Sequence, residues 1–301
     1  MAGIVSFHAH PDDESIATGG LLARAAAAGH RVTLVFATRG ELGTPVPGVL
    51  ADGEQLALRR SAESYASAQE LGVSRVEFLG WTDSGMAGTD TNDAPYCFWQ
   101  ADVEHAATRL ATILTEERPD VLTVYDDIGG YGHPDHVQVH RVGMRAGELA
   151  GVPVVAQASI NRDRIDEAMA RAKEFGVDLD ESSAANATSK AAGEQALEEV
   201  RSAERHDGEG EDRRGTGAPE APFGKRQSEL THRVDVSAFV NRKRASMASH
   251  ASQIGPDHFM MSMPDEAFAF VFGEEWFIVE NLPDEPPALF AELFEALHAS
   301  A

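Results

Sequence analysis

Apolar and polar positions alternate along the chain in blocks of secondary-structure length. Gly3 to Phe7 is a short apolar run, Ser15 to Ala28 is rich in Ala and Leu and stops at Gly29, and Arg31 to Ala37 is apolar and β-branched. The order is strand, helix, strand. It continues with a helix over 54 to 71 stopped by Gly72, a strand near Val76 to Leu79, a helix over 101 to 117 followed by Pro119, and a strand from Val121 to Tyr125. A further helix is expected after Pro134 and a fifth strand over Pro153 to Ala156. Near-continuous apolar strands joined by helices predict an α/β fold, a Rossmann-like and mostly parallel sheet with helices on both faces. No internal repeat suggests a solenoid or propeller.

The pattern breaks after Gly176. Residues 178 to 222 carry 12 acidic and 5 basic side chains and no aromatic residue. Such a stretch cannot bury enough surface to offset its ordering entropy, so it reads as an acidic, mobile insertion. Apolar residues return from Val234, with a helix near 236 to 251 and a group at Phe268, Phe270, Phe272, Trp276 and Phe277 that is expected to be core. The predicted organisation is a catalytic domain over 1–160, a connecting helix over 161–177, the insertion over 178–222, and a smaller C-terminal lobe over 223–301 packed on the catalytic domain.

Charge narrows the partners. With 49 acidic against 25 basic residues in 301, the formal net charge is −24, which disfavours nucleic acid and anionic lipid as ligands. Apolar runs are strand-sized, far short of the roughly 20 residues that span a bilayer. The first residues lack a basic stretch ahead of an apolar one, and the lone Cys97 offers no internal disulfide. A cytoplasmic protein acting on a small molecule is expected.

Two polar clusters stand where strands give way to helices, the place at which open α/β sheets bind ligands. The first is His8-Ala9-His10-Pro11-Asp12-Asp13-Glu14. His10 and Asp13, three apart across a Pro-constrained turn, can aim a nitrogen and a carboxylate oxygen at one divalent metal and leave the Asp12 carboxylate free. The second runs from Asp126-Asp127 through Gly129-Gly130-Tyr131-Gly132 to His133-Pro134-Asp135-His136, with His140 one helical turn later. By spacing alone His133, His136 or His140 can be the further ligand. His8 is expected to stand behind the site or in the core, and His140 to pack on its helix.

These residues carry a resemblance. HPDDE after the first strand together with GGYGHPDH later resembles the zinc-dependent N-acetylglucosaminyl deacetylases of the LmbE or PIG-L type. Arg60-Ser61-Ala62-Glu63 resembles the second helix of that family. Asp83-Ser84-Gly85-Met86-Ala87-Gly88 and the segment Arg244 to Ile254 resemble its actinobacterial branch, which includes the deacetylase of mycothiol biosynthesis and the mycothiol S-conjugate amidase.

The resemblance implies that His10, Asp13 and His136 hold the metal, Zn2+ with Fe2+ as the alternative, and that Asp12 is the general base. It further implies that His133 is the acid or electrostatic partner, oriented by Asp135, and that Tyr131 polarises the substrate carbonyl. Arg60, Asp83 and Met86 are the expected substrate-binding residues. Their plainer readings are a surface salt bridge of Arg60 with Glu63, an ordinary Asx turn at Asp83, and a core plug at Met86. The implied reaction removes acetate from an amino-sugar conjugate, such as an N-acetylglucosaminyl inositol; the S-conjugate amidase reaction is the alternative.

Three rivals from other classes are weighed. A nucleotide-binding Rossmann protein needs a glycine-rich first turn where this chain has HPDDE. A carboxylate-rich Mg2+ phosphohydrolase would use Asp12, Asp13, Asp126 and Asp127, but histidines in both clusters favour zinc or iron. A metal-stabilised binding module would have no need of a spare base and acid.

Overall fold

In a computed structural model the described residues, 2–177 and 223–297, build one eight-stranded sheet. The insertion expected over 178–222 lies outside them. Five parallel strands come first in sequence: β1 (Gly3–His8), β2 (Arg31–Phe36), β3 (Arg75–Phe78), β4 (Val121–Tyr125) and β5 (Val154–Ser159). They lie in the spatial order β3-β2-β1-β4-β5. β1 and β4 are therefore neighbours whose connections leave in opposite directions, and the crevice at their carboxyl ends is the switch point of the sheet.

Successive residues of each strand face opposite sides. Ile4, Leu34 and Phe36 pack with Leu21 and Leu22 of α2 (Gly19–Ala27) and with Ala68 and Leu71 of α3 (Leu56–Leu71). Val5, Phe7, Val35 and Val124 pack with Leu110 and Leu114 of α4 (Val103–Glu117) and with Val139 and Val142 of α6 (Pro134–Ala150), which follows the one-turn α5 (Gly129–Gly132). Both faces are thus covered, as the apolar strands require.

Two expectations are corrected. Residues 223–297 do not stand as a separate lobe on the sheet but lengthen it: β7 (Glu274–Val279) pairs antiparallel with β5, β6 (His232–Asp235) with β7, and the short β8 (Glu295–Ala296) with β6. Phe277, Val234 and Phe290 join the same core as Ile4. The expected helix over Ser15 to Ala28 is two helices, α1 (Asp13–Ala17) and α2, broken at Thr18. The cause lies more than 250 residues away. Glu275 of β7 accepts the free N–H groups of Gly20 and Leu21 at 2.7 and 2.8 Å, so a second helix start is satisfied there. Val236 packs so close that a Cβ on Gly20 would meet its side chain at 2.5 Å.

The helix expected near 236–251 is found over Val240–Ser249, against α3 and α2. Phe268, Trp276 and Phe277 are buried as expected, with Trp276 and Phe272 also lining the cavity described below. The connecting helix is the shorter α7 (Arg162–Ala170).

Candidate active site

The turns after β1 and β4 open into one cavity of about 710 Å3, lined by His10, Asp12, Asp13, Tyr131, His133 and His136 among others. His136 arrives on the first turn of α6, whose N-terminus carries Pro134 just inside the start and His133 as the cap. His136 Nδ1 lies 3.2 Å from the Gly129 carbonyl. A carbonyl only accepts, so Nδ1 carries the proton and the Nε2 lone pair points inward. That buried Nε2 has no hydrogen-bond partner and lies 3.4 Å from Asp13 Oδ1.

His10 shows the mirror arrangement. Its Nε2 faces Asp135 Oδ2 at 3.1 Å and Asp83 Oδ1 at 3.5 Å, and its Nδ1 faces Asp13 Oδ2 at 3.5 Å. With Nε2–H donated to carboxylates, Nδ1 is the nitrogen left on the Asp13 side, where a metal would displace its proton. Asp13 is itself held by the His10 N–H, which donates to Oδ2 at 2.9 Å. Each oxygen of Asp13 thus faces one imidazole nitrogen, Oδ2 that of His10 and Oδ1 that of His136. Ring nitrogens of His10, His133 and His136 lie within 4.8 Å of one another, as do the donor atoms of His10, Asp83 and Asp135. Burial alone would lower His10, but Asp83, Asp13 and Asp135 overcome it and hold the imidazole well above its usual range. Carboxylates that favour a proton there favour a divalent cation by the same attraction.

Asp12 stands beside this centre in a backbone conformation that L residues rarely adopt, φ 107 and ψ −34. Such a conformation costs roughly 1–3 kcal/mol and persists only where the surroundings over-determine it. Burial pushes its carboxyl up to about 6, against the opposing pull of the Arg60 guanidinium, so it is a stronger base than an ordinary aspartate. Arg60 Nη2 lies 3.1 Å from Asp12 Oδ1 and also donates to the Pro11 carbonyl, while Nη1 donates to Gly40 O at 2.8 Å. Arg60 is buried and lines the cavity. Glu63, its expected surface partner, instead accepts the N–H and hydroxyl of Ser252.

His133 accepts the Asp135 N–H on Nδ1 at 3.1 Å, which puts the proton of a neutral ring on Nε2. Burial and the neighbouring imidazoles of His10 and His136 hold it neutral, well below its usual range. Asp135, expected to orient His133, meets it through its backbone N–H and not through its carboxylate. That carboxylate is spent on His10 and on Ser84, whose N–H donates at 3.0 Å and whose hydroxyl donates as well. Only the Asp135 backbone meets His133. The phenol of Tyr131 is pushed upward by burial and then by Asp13, so it keeps its proton and can only donate to a developing negative charge.

Asp83 combines both of its readings: its Oδ1 caps a turn at Gly85 N, 2.8 Å away, and it lines the cavity. Met86 is half-buried on the same wall. His8 lies below the cavity, with Nε2 2.7 Å from Ser6 Oγ and Nδ1 2.9 Å from the Tyr125 hydroxyl, and burial lowers it to about 4. His140 is turned to the Tyr125 carbonyl at 3.1 Å. Neither lines the cavity. Asp126 is consumed by Gly130 N at 2.8 Å and Ser159 Oγ at 2.5 Å, and Asp127 pairs with Lys225 at 2.6 Å. The four-carboxylate alternative thus loses two of its members.

Sequence reasoning passed over Ser84, Tyr125, Lys243 and Gln253, of which the last three line the cavity. None has a motif spacing of its own. Ser84 is signalled only by its place in the Asp83 to Gly88 loop, and Lys243, between Arg242 and Arg244 on a polar helix, carries no signal of its own.

Comparison with known proteins places this site in a lineage. Residues 5–147 match the family model described as PIG-L, GlcNAc-PI de-N-acetylase. The chain is 36% identical over 290 residues to a 1D-myo-inositol 2-acetamido-2-deoxy-alpha-D-glucopyranoside deacetylase of Acidothermus cellulolyticus, covering 93% of this chain and 89% of that protein. Its fold is shared with the N,N'-diacetylchitobiose deacetylase of Pyrococcus horikoshii (TM-score 0.50, 20% identity, 96% and 85% of the two chains). It is also shared with GalB, the 4-carboxy-2-hydroxymuconate hydratase of Pseudomonas putida KT2440 (TM-score 0.52, 16% identity, 95% and 98%). A fold that hosts both a deacetylase and a hydratase does not choose the reaction. Sequence identity sustained over nine-tenths of the chain is the stronger finding, and by it the chain belongs to the PIG-L family.

Proposed function

We propose that the chain is a cytoplasmic, zinc-dependent N-deacetylase that removes acetate from the 2-acetamido group of an N-acetylglucosaminyl inositol. The observation that carries the reading is that His10 Nδ1 and His136 Nε2 face the two oxygens of the Asp13 carboxylate in the wall of the cavity, beside the carboxylate of Asp12. The substrate follows from the relative at 36% identity over most of both chains, whose name states that activity. Among the described residues no helix is long and apolar enough to cross a membrane.

His10, Asp13 and His136 would hold the ion. Two imidazoles and one carboxylate suit Zn2+, and Fe2+ takes the same donors. When bound, the ion supplies Lewis-acid activation of water and of the acetamide carbonyl. Asp12 accepts a proton from the water whose oxygen attacks the acetamide carbon. Tyr131 donates to the carbonyl oxygen as it gains charge, and His133, carrying its proton on Nε2, is a second donor to that charge. The C–N bond then breaks, and the amine leaves with the proton that Asp12 received. Arg60, Asp83 and Met86 line the cavity where the sugar and its aglycone would lie.

The test is incubation of the purified protein with N-acetylglucosaminyl inositol, with acetate and free amine measured together. Equal release of both, abolished by a chelator and restored by Zn2+, is the expected result. A protein that binds one ion per chain yet releases no amine from any N-acetylglucosaminyl conjugate would overturn the reading.

A further inference from the structure

Glu14, the last residue of the HPDDE run, is fully buried and has no place in the chemistry above. Its Oε2 accepts the N–H of Asp12 at 2.9 Å. Its Oε1 accepts from His250 Nε2 at 2.6 Å and from Ser67 Oγ at 2.5 Å. His250 is also fully buried, and it reaches α1 from just past the helix Val240–Ser249, 236 residues away in sequence. Ser67 of α3 is tied in turn to Ser246 of that helix at 2.7 Å.

We propose that Glu14 and His250 are positioning residues for Asp12, fixing the direction of its carboxylate through its backbone. The inference rests on the reading of Asp12 as the general base. The direction of the Asp12 side chain depends on the two peptide planes that flank its Cα. The preceding plane is pinned by Glu14 at the Asp12 N–H. The following plane is pinned by Ser15, whose N–H and hydroxyl both donate to the Asp12 carbonyl, at 3.1 and 2.7 Å. With both planes held, φ stays at 107 and the Cα–Cβ bond keeps its direction, while Arg60, on the Pro11 carbonyl and on Asp12 Oδ1, holds the end of the side chain.

The second Glu14 oxygen goes to the N–H of Asp12, the residue at the N-cap of α1 and whose φ is strained, so the pair that joins the C-terminal helix to α1 also bears on that residue. His250 therefore acts at a distance: it fixes Glu14, Glu14 fixes the Asp12 amide, and the amide fixes the base. Misplacement of a reacting group by about 1 Å can cost on the order of 10²-fold in rate.

The experiment compares His250→Ala and His250→Gln in the wild-type and Asp12→Asn backgrounds, with metal content and amide exchange of the 9–16 segment as further readouts. In the wild-type background His250→Ala is expected to lower kcat by about 10- to 100-fold with KM and bound metal unchanged, and to expose the Asp12 amide to exchange. His250→Gln, which keeps a donor toward Glu14, is expected to recover kcat to within about threefold of wild type. In the Asp12→Asn background His250→Ala should cost nothing more, because there is no base left to position. An equal loss in both backgrounds, a loss of metal in step with kcat, or an Asp12 amide as protected as in wild type would overturn the proposal.

If His250→Ala does not fold, Ser67→Ala removes the other Oε1 partner and should show the same background dependence at about a two- to fivefold loss; equal losses in both backgrounds would again overturn it. An Asp12→Asn protein with near wild-type turnover would instead sink the deacetylase mechanism. The exchange measurement would still decide whether the pair holds the Asp12 backbone.

Discussion

The turns after β1 and β4 line the same cavity, the first with His10, Asp12 and Asp13 and the second with Tyr131, His133 and His136, and they are built by opposite means. The second turn uses glycine wherever its backbone is unusual: Gly129, Gly130 and Gly132 all have positive φ. It is closed mainly by local bonds such as Gly129 N–H to Asp126 O and Gly132 N–H to Ile128 O. The first turn has no glycine at all, and its one strained residue is Asp12. That conformation is held by side chains from α3 and from beyond the helix Val240–Ser249. The difference follows from what each position must do. Gly129 has only to let the chain pass close to His136, so the absence of a side chain is the solution. Asp12 must present a carboxylate, so glycine is excluded and the strain is offset by bonds.

The strongest way to break the comparison is to put a side chain into the glycine turn. A Cβ on Gly129 would meet His136 Cβ at 2.5 Å and Val137 N at 2.8 Å, at a φ of +63 that already disfavours it. Gly129→Ala is therefore expected to resemble His136→Ala, losing bound metal and turnover together. Gly132→Ala has open space around its Cβ and should lose much less, although its φ of +89 is also unfavourable. Metal content by mass spectrometry beside the deacetylation rate checks both. A Gly129→Ala protein with full metal occupancy would mean that the close approach at His136 is not needed to aim its Nε2.

A smaller but sharper effect is expected at the strained turn. Asp12→Asn keeps the volume and removes the base, so it should bind metal normally and lose roughly 10²- to 10⁴-fold in turnover. The pH profile gives the sign. A base must be unprotonated to accept a proton, and burial pushes the Asp12 carboxyl up to about 6, so wild-type turnover should rise with pH through that region. The residual activity of Asp12→Asn should lack this limb. An Asp12→Asn protein that keeps the same rising limb would assign the limb to another group.

What was legible in the sequence divides along the same line as the two turns. Strands β1, β2 and β4 were readable because burial on both faces makes each a run of apolar residues. His10 and Asp13 are legible as ligand candidates from a dense polar cluster at a strand end, His136 only as one of three histidines with His133 and His140, and Tyr131 only through the resemblance. The features set by distant residues are not legible. The break at Thr18 depends on Glu275, the brace of Asp12 on His250, and the three added strands on pairing with β5. The resemblance implies that Asp135 orients His133, but what meets His133 is the Asp135 N–H and not its carboxylate. The fold takes that carboxylate to His10 across 125 residues. Local spacing shows which residues enter the site, and tertiary contacts decide which of them touch.

The smallest expected effect concerns Asp127, in the glycine turn, which a carboxylate-based site would have used. Its side chain is 61% exposed and its partner is Lys225 at 2.6 Å. The Lys225 ammonium holds its carboxyl below the usual range. A depressed folded-state value stabilises the fold above the unfolded value and loses that contribution as pH falls through the folded one. Exposure lets solvent screen the pair, so its worth is only about 0.2–1 kcal/mol. The backbone bond from Gly224 N–H to Gly130 O, 2.7 Å long, remains to hold the turn when the ion pair is removed. Asp127→Asn should thus lower the melting temperature slightly at neutral pH and by less near pH 3, where the wild-type carboxyl is itself losing its charge. Metal content and turnover should stay at wild-type levels, since the Asp127 side chain points to Lys225 and does not line the cavity. Loss of metal or of turnover in Asp127→Asn would return this carboxylate to the site and join by chemistry the two turns that the structure separates by construction.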